Sequence, residues 1–306
     1  MRELSRPARL APGARVAVVA PSGPVPGERL RAGVEVLRGW GLDPVVAPHV
    51  LDRHPRFGYL AGTDADRAAD LQSAWCDPAV DAVLCARGGY GAQRMADLLD
   101  WEAMRAAGPK VFVGFSDITA LHEAFASRLG LVTLHGPMAA GVDFLGTERA
   151  REHLRATLFD PESVRALAWP GRALVPGRAR GVTLGGCLTL LSSELGSPLA
   201  RPSARGGLLC LEDVDEETYR LDRCLTQLLR AGWLDGVRGV LLGSWEGCAE
   251  AGLREMLADR LGGLGVPVAE EVGFGHGTGA LTVPFGTAAE LDADAGTLTL
   301  DAPALR

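Results

Sequence analysis

Apolar and polar positions alternate in blocks along the first half of the chain. Arg15 to Ala20 (RVAVVA) is a short run of β-branched and small apolar residues that stops at Pro21-Ser22-Gly23-Pro24. A run of this length bounded by turn residues predicts a buried strand. Leu30, Val34 and Leu37 then recur at helical spacing. The exchange repeats, with strands expected over Pro44 to Ala47, Val80 to Ala86, Val111 to Phe115 and Leu131 to Leu134. Helices are expected over Asp64 to Trp75, Gln93 to Leu99 and Asp117 to Arg128, with Thr63 or Asp64 capping the first of these. Strands alternating with such helices imply a parallel sheet covered on both faces. Residues 1–145 are therefore read as an α/β domain, doubly wound and flavodoxin-like or amidotransferase-like.

The rhythm changes after Gly141. Thr147 to Leu158 is an amphipathic helix, and Ser163 to Gly181 is rich in Pro, Gly and Arg. Residues 146–180 are taken as a linker or crossover. Beyond it, Leu208 to Leu211 and Val240 to Leu242 read as strands, and Leu221, Leu225 and Leu228 as a helical face. Ala289 to Ala302 alternates around Asp294-Ala295-Gly296, a hairpin pattern. Residues 181–306 are expected to form a smaller α+β domain.

Composition narrows the picture. The chain of 306 residues is 47% apolar and 23% charged, enough to bury a large core and too apolar for disorder. The apolar runs fall short of the roughly 20 residues that span a membrane. Met1 to Ala14 lacks the apolar centre of a signal peptide, so a cytoplasmic protein is expected. The net charge is −7 and no Lys/Arg block occurs, which argues against nucleic acid as a partner. The six cysteines form no CxxC pair and no H-E-x-x-H occurs, so no metal is expected. Gly88-Gly89-Tyr90-Gly91 fits neither a dinucleotide nor a Walker fingerprint, and no cofactor is expected.

Four segments carry candidate chemistry. In Gly114-Phe115-Ser116-Asp117-Ile118-Thr119 a strand runs directly into a helix, with Ser116 at the corner. A serine there is either an exposed nucleophile beside helix N–H groups or a plain helix cap. Arg87-Gly88-Gly89-Tyr90-Gly91 also follows a strand, where ligands of open α/β sheets bind, and is otherwise a mobile turn. Glu212 is the first polar residue after the strand LLCL, and Asp215 to Glu217 read as acids at the next helix start. His276 lies among glycines in Gly273-Phe274-Gly275-His276-Gly277, as a loop catalyst or as a loop-ordering group. Ser116, His276 and Glu212 together supply a nucleophile, a base and an orienter.

The residues "VAVVAPSGPV" (Val16 to Val25), "ARGGYGAQRMADLLD" (Ala86 to Asp100), "GFSDITALH" (Gly114 to His122) and "HGPM" (His135 to Met138) resemble the LD-carboxypeptidases. So do "LEDVDEETYRLDRCLTQL" (Leu211 to Leu228), "GFGHG" (Gly273 to Gly277) and "VPFG" (Val283 to Gly286). This family of serine peptidases includes the microcin C immunity hydrolases. The resemblance implies Ser116 as nucleophile, Glu212 as the acid and His276 as the base. It implies an oxyanion hole from the backbone N–H groups of Asp117 and Gly89. The implied reaction is release of terminal D-alanine from murein tetrapeptide through an acyl-enzyme, and the implied assembly is a homodimer. Arg87 is the candidate partner for the substrate carboxylate; a surface ion pair is its other reading. One departure is Cys187, which follows Gly185-Gly186 where the family commonly has Asn. Two rival functions remain: an immunity-type amidase for aminoacyl-adenylate-like compounds, with Trp169 or Trp245 stacking on the base, and a non-catalytic binding protein.

Overall fold

The computed structural model describes residues 2–248 and 251–306. Its strands begin with β1 (Arg15–Val19), β2 (Asp43–Val46), β3 (Ala82–Cys85), β4 (Val111–Gly114), β5 (Thr133–His135), β6 (Ala166–Ala168) and β7 (Arg172–Val175). They continue with β8 (Arg178–Cys187), β9 (Gly207–Val214), β10 (Gly239–Glu246), β11 (Val268–Glu270), β12 (Val283–Phe285), β13 (Ala288–Asp292) and β14 (Thr297–Leu300). The first sheet has the order β12-β5-β4-β3-β1-β2 and is parallel except for β12. The order β2-β1-β3-β4-β5 is the flavodoxin-like doubly wound one, as expected.

Both faces of this sheet are covered. Val16 and Val18 pack with Leu30, Val34 and Leu37 on one side, and Ala17 and Val19 with Leu71 and Trp75 on the other. Double coverage explains why β1 reads as an unbroken apolar run. The Asp64–Cys76 helix starts where expected, with Thr63 Oγ1 accepting the Asp66 amide at 3.1 Å. The helix expected over Asp117 to Arg128 is broken into a 3₁₀ turn (Ser116–Ile118), an α segment (Thr119–Ala124) and a π turn (Phe125–Leu129).

The second sheet runs β6-β14-β13-β8-β9-β10-β11-β7. Strands β8 to β11 are parallel, and the remaining pairs are antiparallel. Its two edges, β6 and β7, lie in the segment read as a linker. Short edge strands with Arg, Pro and Gly look like loop in sequence because the edge is unpaired on one side. The hairpin β13–β14 forms around the expected turn. Strand β12 leaves this half and pairs with β5, Val283 opposite His135, before the chain returns to β13. The chain therefore stitches the two sheets together within 20 residues of His276.

Candidate active site

Strand β4 delivers Ser116 to the carboxyl edge of the first sheet. Phe115 is still extended, but Ser116 has φ +64°. A left-handed conformation is unfavourable for a residue with a Cβ, by about 1–2 kcal/mol, and it throws the side chain out of the turn. Gly88 lies against it: a Cβ there would stand 2.8 Å from Ser116 Cβ, so only glycine fits. The Gly23 amide donates to the Gly88 carbonyl at 3.0 Å and fixes that loop. The N–H groups of Asp117 and Gly89 have no acceptor among the described residues.

The Asp117 side chain does work that the sequence reading assigned only to its amide. The buried carboxylate accepts the Ser22 hydroxyl at 2.6 Å and the Ala92 amide at 2.8 Å. It thereby ties together the loops after β1, β3 and β4. Burial raises its pKa against these two bonds, which favour the anion. Arg67, also buried, donates to the carbonyls of Pro21 and Gly91 in the same loops.

The second sheet supplies Glu212, the candidate acid. Alternation along β9 places Leu208 and Cys210 in the apolar layer with Phe274 and Phe285, and Glu212 follows on the same face. Glu212 is fully buried, and its Oε2 lies 2.6 Å from His276 Nδ1. The approach needs Gly275, where a Cβ would sit 2.8 Å from that oxygen. The His276 loop is held by bonds from Gly277 N to Ser244 Oγ, 2.8 Å, and from Gly279 N to Asp143, 2.9 Å. Burial would lower the His276 pKa, but the bond and charge of Glu212, helped by Asp213 and Asp215, hold it above the ordinary value. Burial likewise opposes ionisation of Glu212. His135 and His276 outweigh it and hold the carboxyl well below the usual range.

The ring of Phe115, the residue before Ser116, stands 4.8 Å from the His276 ring. The site thus draws Ser116 from one sheet and Glu212 and His276 from the other half of the chain. Ser116 Oγ has no hydrogen-bond partner among the described residues, and His276 Nε2 is not bonded to it in this structure. Catalytic hydrogen bonds are commonly long before substrate binds. Arg87 is exposed at the same edge and donates to the Pro24 carbonyl at 2.8 Å, with no ion pair among the described residues. Cys187 is buried, with its thiol directed at Asp213 at 3.3 Å. Burial and the charges of Glu212 and Asp213 push that thiol well up, so a thiolate is disfavoured. Trp169 is packed into the core with Leu167 and Leu298 and is no stacking platform. Trp245 is partly buried against the other apolar layer of the second sheet.

Sequence reasoning missed His135. It took the residue as the start of the HGPM segment, whereas His135 is 1% exposed and its Nε2 stands 3.8 Å from Glu212 Oε1. The available signal was its place at the carboxyl end of a strand beside β4, next to Gly114 in register.

A family model described as the LD-carboxypeptidase N-terminal domain matches residues 16–136, and one for the C-terminal domain matches residues 180–291. A Streptomyces coelicolor protein named "Putative carboxypeptidase" is 81% identical over 100% of this chain and 99% of its own. The murein tetrapeptide carboxypeptidase of Pseudomonas aeruginosa is 33% identical, covering 91% of this chain and 93% of its own. Among solved structures, the muramoyltetrapeptide carboxypeptidase of Oxalobacter formigenes superposes with a TM-score of 0.80 at 28% identity, covering 94% and 98%. The microcin C7 self-immunity protein superposes at 0.87 with 22% identity, covering 99% and 100%, and shows likeness of fold.

Proposed function

The chain belongs to the LD-carboxypeptidase family, a family of serine-type carboxypeptidases, and on that premise we propose that it releases the terminal D-alanine of murein tetrapeptide. The observation that carries this reading is the Glu212–His276 bond of 2.6 Å set beside the strained Ser116 corner. Glu212 holds His276 Nδ1, which leaves Nε2 to take the Ser116 proton. Ser116 Oγ attacks the carbonyl of the L,D-bond, and the amides of Asp117 and Gly89 receive the oxyanion. His276 returns the proton to the amine of D-alanine as the C–N bond breaks. Water then loses a proton to His276 and attacks the acyl carbonyl, and His276 returns that proton to Ser116 Oγ as the ester bond breaks. Arg87 retains free N–H donors for the D-alanine carboxylate. The reading includes a cytoplasmic role in murein recycling and a homodimer, the latter tested by sedimentation.

Mass spectrometry of murein tetrapeptide incubated with the chain, and with Ser116→Ala, tests the proposal. The expected result is loss of one D-alanine with the wild type and a drop of at least about 10⁴-fold for the variant. Equal release by both would overturn Ser116 as nucleophile; no release by either would overturn the substrate. Arg87→Ala is expected to raise KM roughly tenfold or more and to leave kcat within about threefold, as loss of a binding contact does. The aminoacyl-nucleotide reading loses one of its two stacking candidates, since Trp169 is core.

A further inference from the structure

One buried histidine stands outside this proton path. His135 Nε2 faces Glu212 Oε1 at 3.8 Å, and neither atom has a hydrogen-bond partner among the described residues. Both residues are almost wholly shut off from solvent. The other carboxylate oxygen takes His276 at 2.6 Å. Glu212 is thus flanked by two imidazoles, His135 from the first sheet and His276 from the loop after β11. The His135–Glu212 gap exceeds hydrogen-bond length by less than about 1 Å.

His135 Nε2 has no hydrogen-bond partner among the described residues, and its surroundings are largely aromatic. The rings of Phe115, Phe274 and Phe285 enclose it at centroid distances of 5.7, 5.8 and 5.2 Å. His122 is the next imidazole, 6.1 Å away, and both its nitrogens are engaged, with Thr133 Oγ1 and the Gly114 carbonyl. The remaining titratable groups near Glu212 are Cys187, opposite it in register on β8, and Asp213 beside it, whose side chains engage each other. The last torsion of a glutamate is soft. One hydrogen bond leaves the carboxylate able to swing; a second fixes its plane.

We propose that His135 is a positioning residue of this reaction: it donates its Nε2 proton to Glu212 Oε1 and so keeps Oε2 on His276 while His276 carries the serine proton. The proposal rests on the Ser116, His276 and Glu212 reading. It has a consequence for pH. Without the His135 donor, the buried Glu212 anion is left to His276 alone and holds the imidazolium more tightly. His276 then keeps its proton to higher pH, and the acid limb of kcat/KM moves up.

The test uses the full chain with murein tetrapeptide, comparing wild type, His135→Phe and His135→Gln, with Ser116→Ala alongside. Phenylalanine fills the aromatic cage and removes the donor; glutamine retains a donor amide. His135→Phe is expected to lower kcat about 10- to 100-fold, with KM within about twofold, in the range that loss of an orienting partner gives elsewhere. Its acid limb is expected to move up by about half a unit or more, while His135→Gln stays near the wild-type limb and recovers most of kcat. An unmoved limb in His135→Phe, or equal loss in both variants, overturns the proposal. If Ser116→Ala retains activity, the triad reading itself has failed. NMR of ¹⁵N-histidine-labelled wild type needs no variant to fold. It should find the Nε2–H tautomer of His135, and the opposite tautomer overturns the assignment.

Discussion

Ser116 is held in a conformation that its Cβ disfavours, with φ +64°. The strain predicts a separation of stability from activity. Ser116→Gly should melt higher than Ser116→Ala, by about 1 kcal/mol, because glycine meets no penalty there; thermal unfolding of the two variants checks it. His276 predicts the pH profile. As the proposed base it must be neutral to take a proton, and Glu212 holds its pKa above the ordinary value. The acid limb of kcat/KM should therefore lie above about 6.5. A limb below that value would show that Glu212 does not act on the base. For stability the sign is opposite: the raised imidazole stabilises the fold below its unfolded pKa, and that contribution disappears as pH rises through the folded one.

At the scale of elements, three loops carry the first-sheet half of the site, and one carboxylate joins them. Both bonds from Ser22 and Ala92 reach the same oxygen of Asp117. Asn can keep one oxygen in that place, whereas Ala leaves two buried donors unsatisfied. Asp117→Ala should lower stability by about 1–3 kcal/mol and reduce kcat, with Asp117→Asn much closer to wild type; denaturant unfolding with parallel kinetics measures both. The cap of the Asp64–Cys76 helix offers a control away from the reaction. Thr63→Ala should cost about 1 kcal/mol and leave kcat unchanged.

At the scale of the molecule, β12 makes the two halves interdependent. It is an edge of the first sheet supplied from beyond His276, and its Phe285 ring packs on His122 and His135. A chain cut after residue 145 would uncover β5 and these histidines. Its unfolding should be broad or absent by calorimetry, where the full chain gives a cooperative transition. Acid should weaken the whole fold as well. Burial and the neighbouring His135 push His122 down to about 3, and burial with Arg149 pushes His153 to about 4. His153 is partly buried, and its Nδ1 accepts the Thr282 amide at 3.1 Å. The unfolded chain binds these protons first, so stability should fall as pH drops below about 6.5, by about 1.4 kcal/mol per unit of separation for each histidine.

Local order was written in the sequence. The β1 run, the strand-to-serine corner, the glycines around His276 and the carboxylate at the end of β9 are all short-range patterns. Each follows from the residues that must occupy a strand, a tight turn or a strand end. The parallel character of the first sheet was legible for the same reason, since doubly covered strands alternate with helices. The edge strands β6 and β7 were not, because half their hydrogen-bonding groups face no partner and their composition is that of loop. Nor was the pairing of β12 with β5, which joins residues about 150 positions apart. His135 is the sharpest case. Nothing beside it in the chain marks it, and it faces Glu212 only because β5 and β9 belong to two sheets that β12 draws together. Which polar atoms end up buried against each other is decided by how those sheets pack.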